Sequence, residues 1–151
     1  MKTIYHKPVM LEEAVQGLKI DPDGVYVDVT FGGGGHSSAI LQNLSNKGRL
    51  LAFDQDEAAH QNSISDDRFH FINGNFSHLK RHLKFCGITT VDGILADFGV
   101  SSYQFDSGSR GFSTRLEGPL DMRMNTKSKL SARALINEYS VEELQQIFKN
   151  Y

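Results

Sequence analysis

The sequence predicts an α/β domain built on a parallel sheet. Three observations predict it. Short β-branched and aromatic runs alternate with amphipathic segments as far as Asp97. The first run, Val25 to Val29, leads into four consecutive glycines, Gly32 to Gly35, and then into a helical segment. The second run, Leu50 to Phe53, ends on an acid, Asp54.

In chain order, Pro8 to Leu18 reads as a helix, with Pro8 in its first turn and Leu11, Ala14, Val15 and Leu18 on one face. Asp21-Pro22-Asp23-Gly24 is a turn. After the first strand and the glycines, a second helix is expected from His36 to Leu44, a strand from Leu50 to Phe53, and a third helix from Gln55 to Ser63. Asp56 and Glu57 suit the opening of that third helix, at its positive dipole end. Arg68 to Ile72 is the third strand, and Ser77 is expected to cap a basic helix from His78 to Phe85. Val91 to Ala96 is the fourth strand, ending at Asp97. Short links between alternating strands and helices imply parallel pairing with helices on both faces.

Such sheets bind ligands outside the carboxyl ends of their strands. Here those ends are Thr30-Phe31, Asp54, Asn75-Phe76 and Asp97-Phe98. A glycine turn lets backbone amides approach a ligand closely, and the following helix start favours negative charge. The turn departs from the dinucleotide pattern G-x-G-x-x-G, because Ser37 stands where the third glycine would be. Asp54, about 20 residues past the glycines, suits a ribose diol. An aromatic at another strand end suits a purine, so the set describes a nucleoside pocket.

Apolar and charged fractions of 39% and 23% are those of a soluble globular protein. No apolar run approaches membrane-spanning length, and no secretory h-region follows Met1, so a cytoplasmic location is expected. The single cysteine, Cys86, excludes an internal disulfide, fits a reducing compartment, and reads as core filler beside Gly87. His78 and His82 have a metal-like spacing, but Lys80, Arg81 and Lys84 surround them and no acid completes a site, so no metal is expected.

The net charge of −2 argues against a wholesale polyanion binder. Residues 76–130, however, hold eight Lys or Arg against five Asp or Glu. Within them Phe98 to Asn125 is rich in Gly, Ser and Arg and shows no clear periodicity. Phe98, Tyr103, Phe105 and Phe112 interleave there with Arg110, Arg115 and Arg123, a combination suited to stacking bases and holding phosphates. Beyond it, Ser131 to Glu138 and Val141 to Phe148 read as two short helices, the second opened by a capping box of Ser140 and Glu143.

Several stretches carry a family resemblance. They are His6 to Glu13, Asp28 to Ser37, Asp54-Gln55-Asp56, Gly74-Asn75-Phe76-Ser77 and Asp92 to Ser102. To these are added Gln104-Phe105-Asp106, Arg110-Gly111-Phe112-Ser113 and Gly118 to Met124. Together they resemble the bacterial 16S ribosomal RNA cytosine-N4 methyltransferases of the MraW type, along nearly the whole chain. The resemblance implies a Rossmann-like class I methyltransferase fold, S-adenosylmethionine as cofactor, and one cytidine of the small ribosomal subunit as substrate. By position it implies that Gly34, Gly35 and His36 hold the methionine end of the cofactor, Asp54 the ribose and Phe76 the adenine. Asp97 and Gln104 would complete the pocket, with Asp97 also the candidate catalytic group. Arg110, Arg115 and Arg123 are the candidate RNA contacts.

Family members are about twice as long, with a helical domain inserted after the fourth strand. The expectation is therefore a truncated parallel sheet in residues 1–105, in the strand order three-two-one-four, followed in residues 106–151 by the loop and the start of that insertion. A chain so cut is expected to self-associate through the fourth strand or through its C-terminal helices, and its own turnover is in doubt. The rival readings are an RNA-binding module without catalysis, an inactive fragment, and a nicotinamide-dependent oxidoreductase using the same glycines and acid.

Overall fold

The computed structural model describes residues 8–151, so His6 and Lys7 of the first family stretch lie outside it. The chain divides into two compact units, 1–99 and 100–151, whereas the sequence reading set the boundary after residue 105. Each is described by itself.

The first unit is a parallel four-stranded sheet with the order β3-β2-β1-β4, as expected. Its strands are β1 (Val25–Asp28), β2 (Arg49–Asp54), β3 (Phe69–Asn73) and β4 (Gly93–Leu95). The register runs Val27↔Leu51 between β1 and β2 and Val27↔Ile94 between β1 and β4. Side-chain alternation then sorts the core onto two faces. On one, Tyr26, Leu50 and Leu95 meet Ile40, Leu41 and Leu44 of α2 (Gly35–Asn43) and its cap, with Ala14, Val15 and Leu18 from α1 (Leu11–Gly17) and its end. On the other, Val27, Leu51, Phe53 and Ile72 meet Leu79, Leu83 and Cys86 from α3 (Leu79–Phe85) and its cap. Cys86 thus packs as expected. Full burial of side chains such as Ile40 and Leu50, at 0% exposure, contributes about 1.5–3 kcal/mol each.

The larger departures from the expected boundaries each have a local reason. Met10 adopts a left-handed conformation (φ 52°), so α1 starts at Leu11 and leaves Pro8 outside. The expected third helix is a 3-10 helix, Glu57–Asn62, capped by the Asp56 side chain accepting from the Ala58 N–H. Asn75, rather than Ser77, supplies the cap after β3: its side-chain Oδ1 accepts from the Ser77 N–H at 2.8 Å and opens a 3-10 turn, Phe76–His78. The fourth strand is shorter than expected, because side chains take over at both ends. Asp92 Oδ2 accepts from the Val25 N–H, and Thr30 Oγ1 accepts from the Asp97 N–H, both at 2.7 Å.

The second unit contains α4 (Ser102–Asp106), a 3-10 turn (Gly108–Arg110), α5 (Ala132–Glu138) and α6 (Val141–Asn150). Both expected C-terminal helices form, and Ser140 and Glu143 make the expected capping box. The stretch read as aperiodic carries α4, opened by a second box of Ser101 and Gln104. That S-x-x-Q signal was legible. Among the described residues no helix is long and apolar enough to cross a membrane.

Candidate active site

The site grows from the end of β1. Gly34 caps α2 with φ 78°, a backbone state closed to most side chains, and a Cβ there would strike the Phe31 ring. A Cβ on Gly35 would overlap the Pro8 ring. The first amides of α2 lack intrahelical acceptors, so they are available to a ligand. Phe31 itself is core: it is 3% exposed and packs on Phe69 and Phe71, at 5.4 and 5.2 Å between ring centroids.

Below the loop lies Asp28, 0% exposed. Its Oδ2 accepts from Ser37 Oγ at 2.7 Å, and its Oδ1 accepts from the Thr30 N–H at 3.0 Å and the Thr30 hydroxyl at 3.4 Å. Burial pushes its pKa up, against the pull of the Ser37 and Thr30 donors and of nearby His36. The Thr30 oxygen in turn accepts from the Asp97 N–H. One buried carboxylate therefore links the glycine loop, the start of α2 and the tip of β4. Asp28, Thr30 and Ser37 were missed as site residues. Their only sequence signal is a polar group inside an otherwise apolar strand-and-helix pair.

Asp97 is exposed at the tip of β4, with a carboxylate oxygen 3.9 Å from His36 Nδ1. His36 is 7% exposed, and its Nε2 is buried with no hydrogen-bond partner among the described residues. At the end of β2, Asp54 accepts from the Gly32 N–H and the Asp56 N–H, each at 2.8 Å. Burial raises its pKa although those amides pull it down. Phe76, 40% exposed after β3, lies 5.5 Å from the ring of Phe98, 70% exposed after β4. The ends of four strands thus present glycine amides, an acid, a pair of open aromatic rings and a second acid facing Nδ1 of a buried imidazole. This donor set fits a charged nucleoside cofactor.

Other expected residues fall in the second unit. Gln104 is buried there, its Oε1 accepting from the Ser101 N–H at 3.0 Å in the capping box of α4. Arg110 is buried and donates to the carbonyls of Arg123 and Met124, at 2.9 and 3.2 Å. Arg123 grips Asp121, with Nη2 to Oδ2 at 2.6 Å, and donates to the Ser128 carbonyl at 2.7 Å. Arg115 is exposed, in a loose 3.4 Å pair with Asp106. Of the three arginines, two direct donors into their own loop.

A parallel sheet in this order with a glycine turn after its central strand defines a Rossmann-like cofactor-binding fold. A crystal structure described as a candidate rRNA methylase from Clostridium thermocellum shares this fold, at a TM-score of 0.50 and 18% identity over 66% of this chain and 57% of that one. The model of the MraW methylase family matches residues 3–151, and the chain belongs to that family, a group of Rossmann-like S-adenosylmethionine-dependent methyltransferases. Among curated relatives, the ribosomal RNA small subunit methyltransferase H of Christiangramia forsetii is 59% identical over 147 residues, covering 97% of this chain and 49% of that protein. The protein of the same name from Porphyromonas gingivalis is 54% identical over 151 residues, 99% of this chain and 49% of that one. The chain spans about half the length of the curated relatives it matches.

Proposed function

We propose that this chain is the cofactor-binding part of an S-adenosylmethionine-dependent methyltransferase that modifies the exocyclic N4 of a cytidine in 16S ribosomal RNA, in the cytoplasm. The observation that carries the reading is the convergence of Gly34, Gly35, His36, Asp54, Phe76 and Asp97 on the carboxyl ends of four adjacent parallel strands. The names of the relatives, which specify the small-subunit ribosomal RNA, support the substrate class.

The cofactor supplies a methyl group on a sulfonium, already a good leaving group. The chain's residues bind and orient. Amides at Gly35 and His36 take the methionine end, with Gly34 shaping the turn through its N–H on the Phe31 carbonyl; Asp54 takes the ribose hydroxyls, and Phe76 the adenine face. Reaction then needs N4 in line with the methyl and about 3–3.5 Å from it. The N4 lone pair is delocalised into the cytosine ring, so an acceptor on its N–H assists. Asp97 is that acceptor, with its backbone fixed by Thr30 and its carboxylate facing His36. Of the three candidate arginines, Arg115 is the best exposed for phosphate. Arg110 and Arg123 would serve RNA by shaping the loop.

Calorimetry with S-adenosylmethionine and with NAD on the same sample tests the reading. Binding of the first and not the second is expected. The reverse result would assign the glycines and Asp54 to a nicotinamide enzyme.

A further inference from the structure

Helix α3 has two unlike faces. Leu79, Leu83 and Cys86 at its cap pack into the core, and the His82 ring meets Phe53 edge-on at 5.5 Å between centroids. His82 is thereby half-buried against the core. The outer face is Lys80, Arg81, Lys84 and Phe85, all exposed, with Phe85 at 91%. The helix contains no acid, and none of the three cations forms an ion pair among the described residues.

This face works against the helix's own stability. Lys80 sits in the first turn, at the positive end of the dipole. Lys80 and Lys84 are like charges four residues apart, which repel. A face evolved only for solubility mixes charge signs and hides large aromatics. The surrounding unit is of opposite character: residues 1–99 carry nine Lys or Arg against twelve Asp or Glu. Three of those nine cations are gathered on one short helix, next to an aromatic ring that no packing requires. Arg81 and Phe85 are also four residues apart, on one side of the helix. The helix follows directly on the Phe76–His78 turn, at the strand ends where the pocket lies.

We infer that the outer face of α3 is a docking surface for single-stranded RNA flanking the target nucleotide. Lys80, Arg81 and Lys84 hold phosphates, and Phe85 stacks on a base. Charge complementarity selects a polyanion, and the open ring selects one that carries bases. The inference rests on the RNA-substrate reading above and adds a second contact region, in the cofactor-binding unit itself.

The test is fluorescence anisotropy of a labelled single-stranded RNA oligonucleotide with this chain, between 50 and 200 mM salt. About 0.7 is lost from the slope of log affinity against log salt per phosphate contact removed from a single strand. The triple variant Lys80→Gln, Arg81→Gln, Lys84→Gln is expected to flatten the slope by about 2. Phe85→Ala is expected to weaken binding about 5- to 150-fold at constant salt and leave the slope unchanged. These residues lie outside the proposed pocket, so S-adenosylmethionine affinity by calorimetry serves as the folding control. If the unaltered chain binds RNA and the triple variant keeps its slope, α3 is a solvated face and only this inference falls. If the unaltered chain binds no RNA at any salt, the inference falls together with the RNA-substrate reading. The cofactor reading is then judged separately by the calorimetry.

Discussion

Asp28 and Asp54 are both carboxylates whose pKa is raised by burial, yet they differ in role. Asp28 faces inward, and its acceptors are filled by Ser37 and Thr30. A raised folded value means that the folded state favours the protonated acid. Its contribution to stability is complete below the ordinary carboxylate range and is lost as pH rises through the folded value. Asp28→Ala leaves the Ser37 and Thr30 donors without partners and should cost about 1–3 kcal/mol in urea unfolding. Asp28→Asn, which can still serve both, should lose little and should remove that pH dependence. If the Ala variant is as stable as the Asn variant, the buried network is idle. Asp54 is half-buried, its two oxygens accepting from the Gly32 and Asp56 N–H. If it holds the proposed ribose, Asp54→Ala should weaken S-adenosylmethionine binding by about 1–3 kcal/mol in calorimetry. Unchanged affinity would remove Asp54 from the ribose. Asp54 and Asp97 could be read from the sequence as candidate ligand contacts because they end apolar runs. Asp28, Thr30 and Ser37 could not, because a polar side chain inside a strand gives no sign of the partners that will satisfy it.

The loop from Ser107 to Ser131 is braced by side chains rather than by a ladder. Arg110 and Arg123 reach carbonyls across it, and the Arg123 fork on Asp121 holds that carboxyl below its usual range. A lowered folded value places the stabilisation above the ordinary carboxylate range and removes it as pH falls through the folded value. Limited proteolysis should therefore cut this loop faster in acid, and Arg123→Ala should bring the same sensitivity to neutral pH. Arg115→Gln, at an exposed pair with 78% and 69% exposure, should leave cleavage and stability unchanged within about 0.5 kcal/mol. Equal cleavage of the Arg123→Ala variant and the unaltered chain would show that the fork is not a brace. Sequence alone gave these arginines as a cluster of positive charge. Whether a guanidinium faces water or a carbonyl thirteen residues away is decided by how the loop closes. The strands and most helices were legible from period and caps. The expected third helix tightened into a 3-10 form that buries only Ala59.

At the scale of the whole molecule, β4 ends the sheet, and its Ile94 is 48% exposed. On α6, Val141 and Phe148 are 65% and 79% exposed. An open strand edge and bare apolar side chains both favour pairing with another copy. Light scattering coupled to size exclusion at low micromolar concentration should find a dimer or larger species. A clean 16.9 kDa peak would overturn this expectation. The strand order was anticipated from family resemblance and agrees with the observed sheet, whereas composition and periodicity left it open. The two side-chain staples that fasten β4 to β1 also bear on time. Each joins residues 67 positions apart, so closing β4 onto β1 carries the loop-closure cost of a long-range contact. With three residues and a staple at either end, it should also leave and return as one unit, in openings far short of global unfolding. A ligand held by Asp97 would oppose those openings. Amide exchange at Leu95 would then slow when the pocket fills, reporting occupancy from a position outside the proposed ligand contacts.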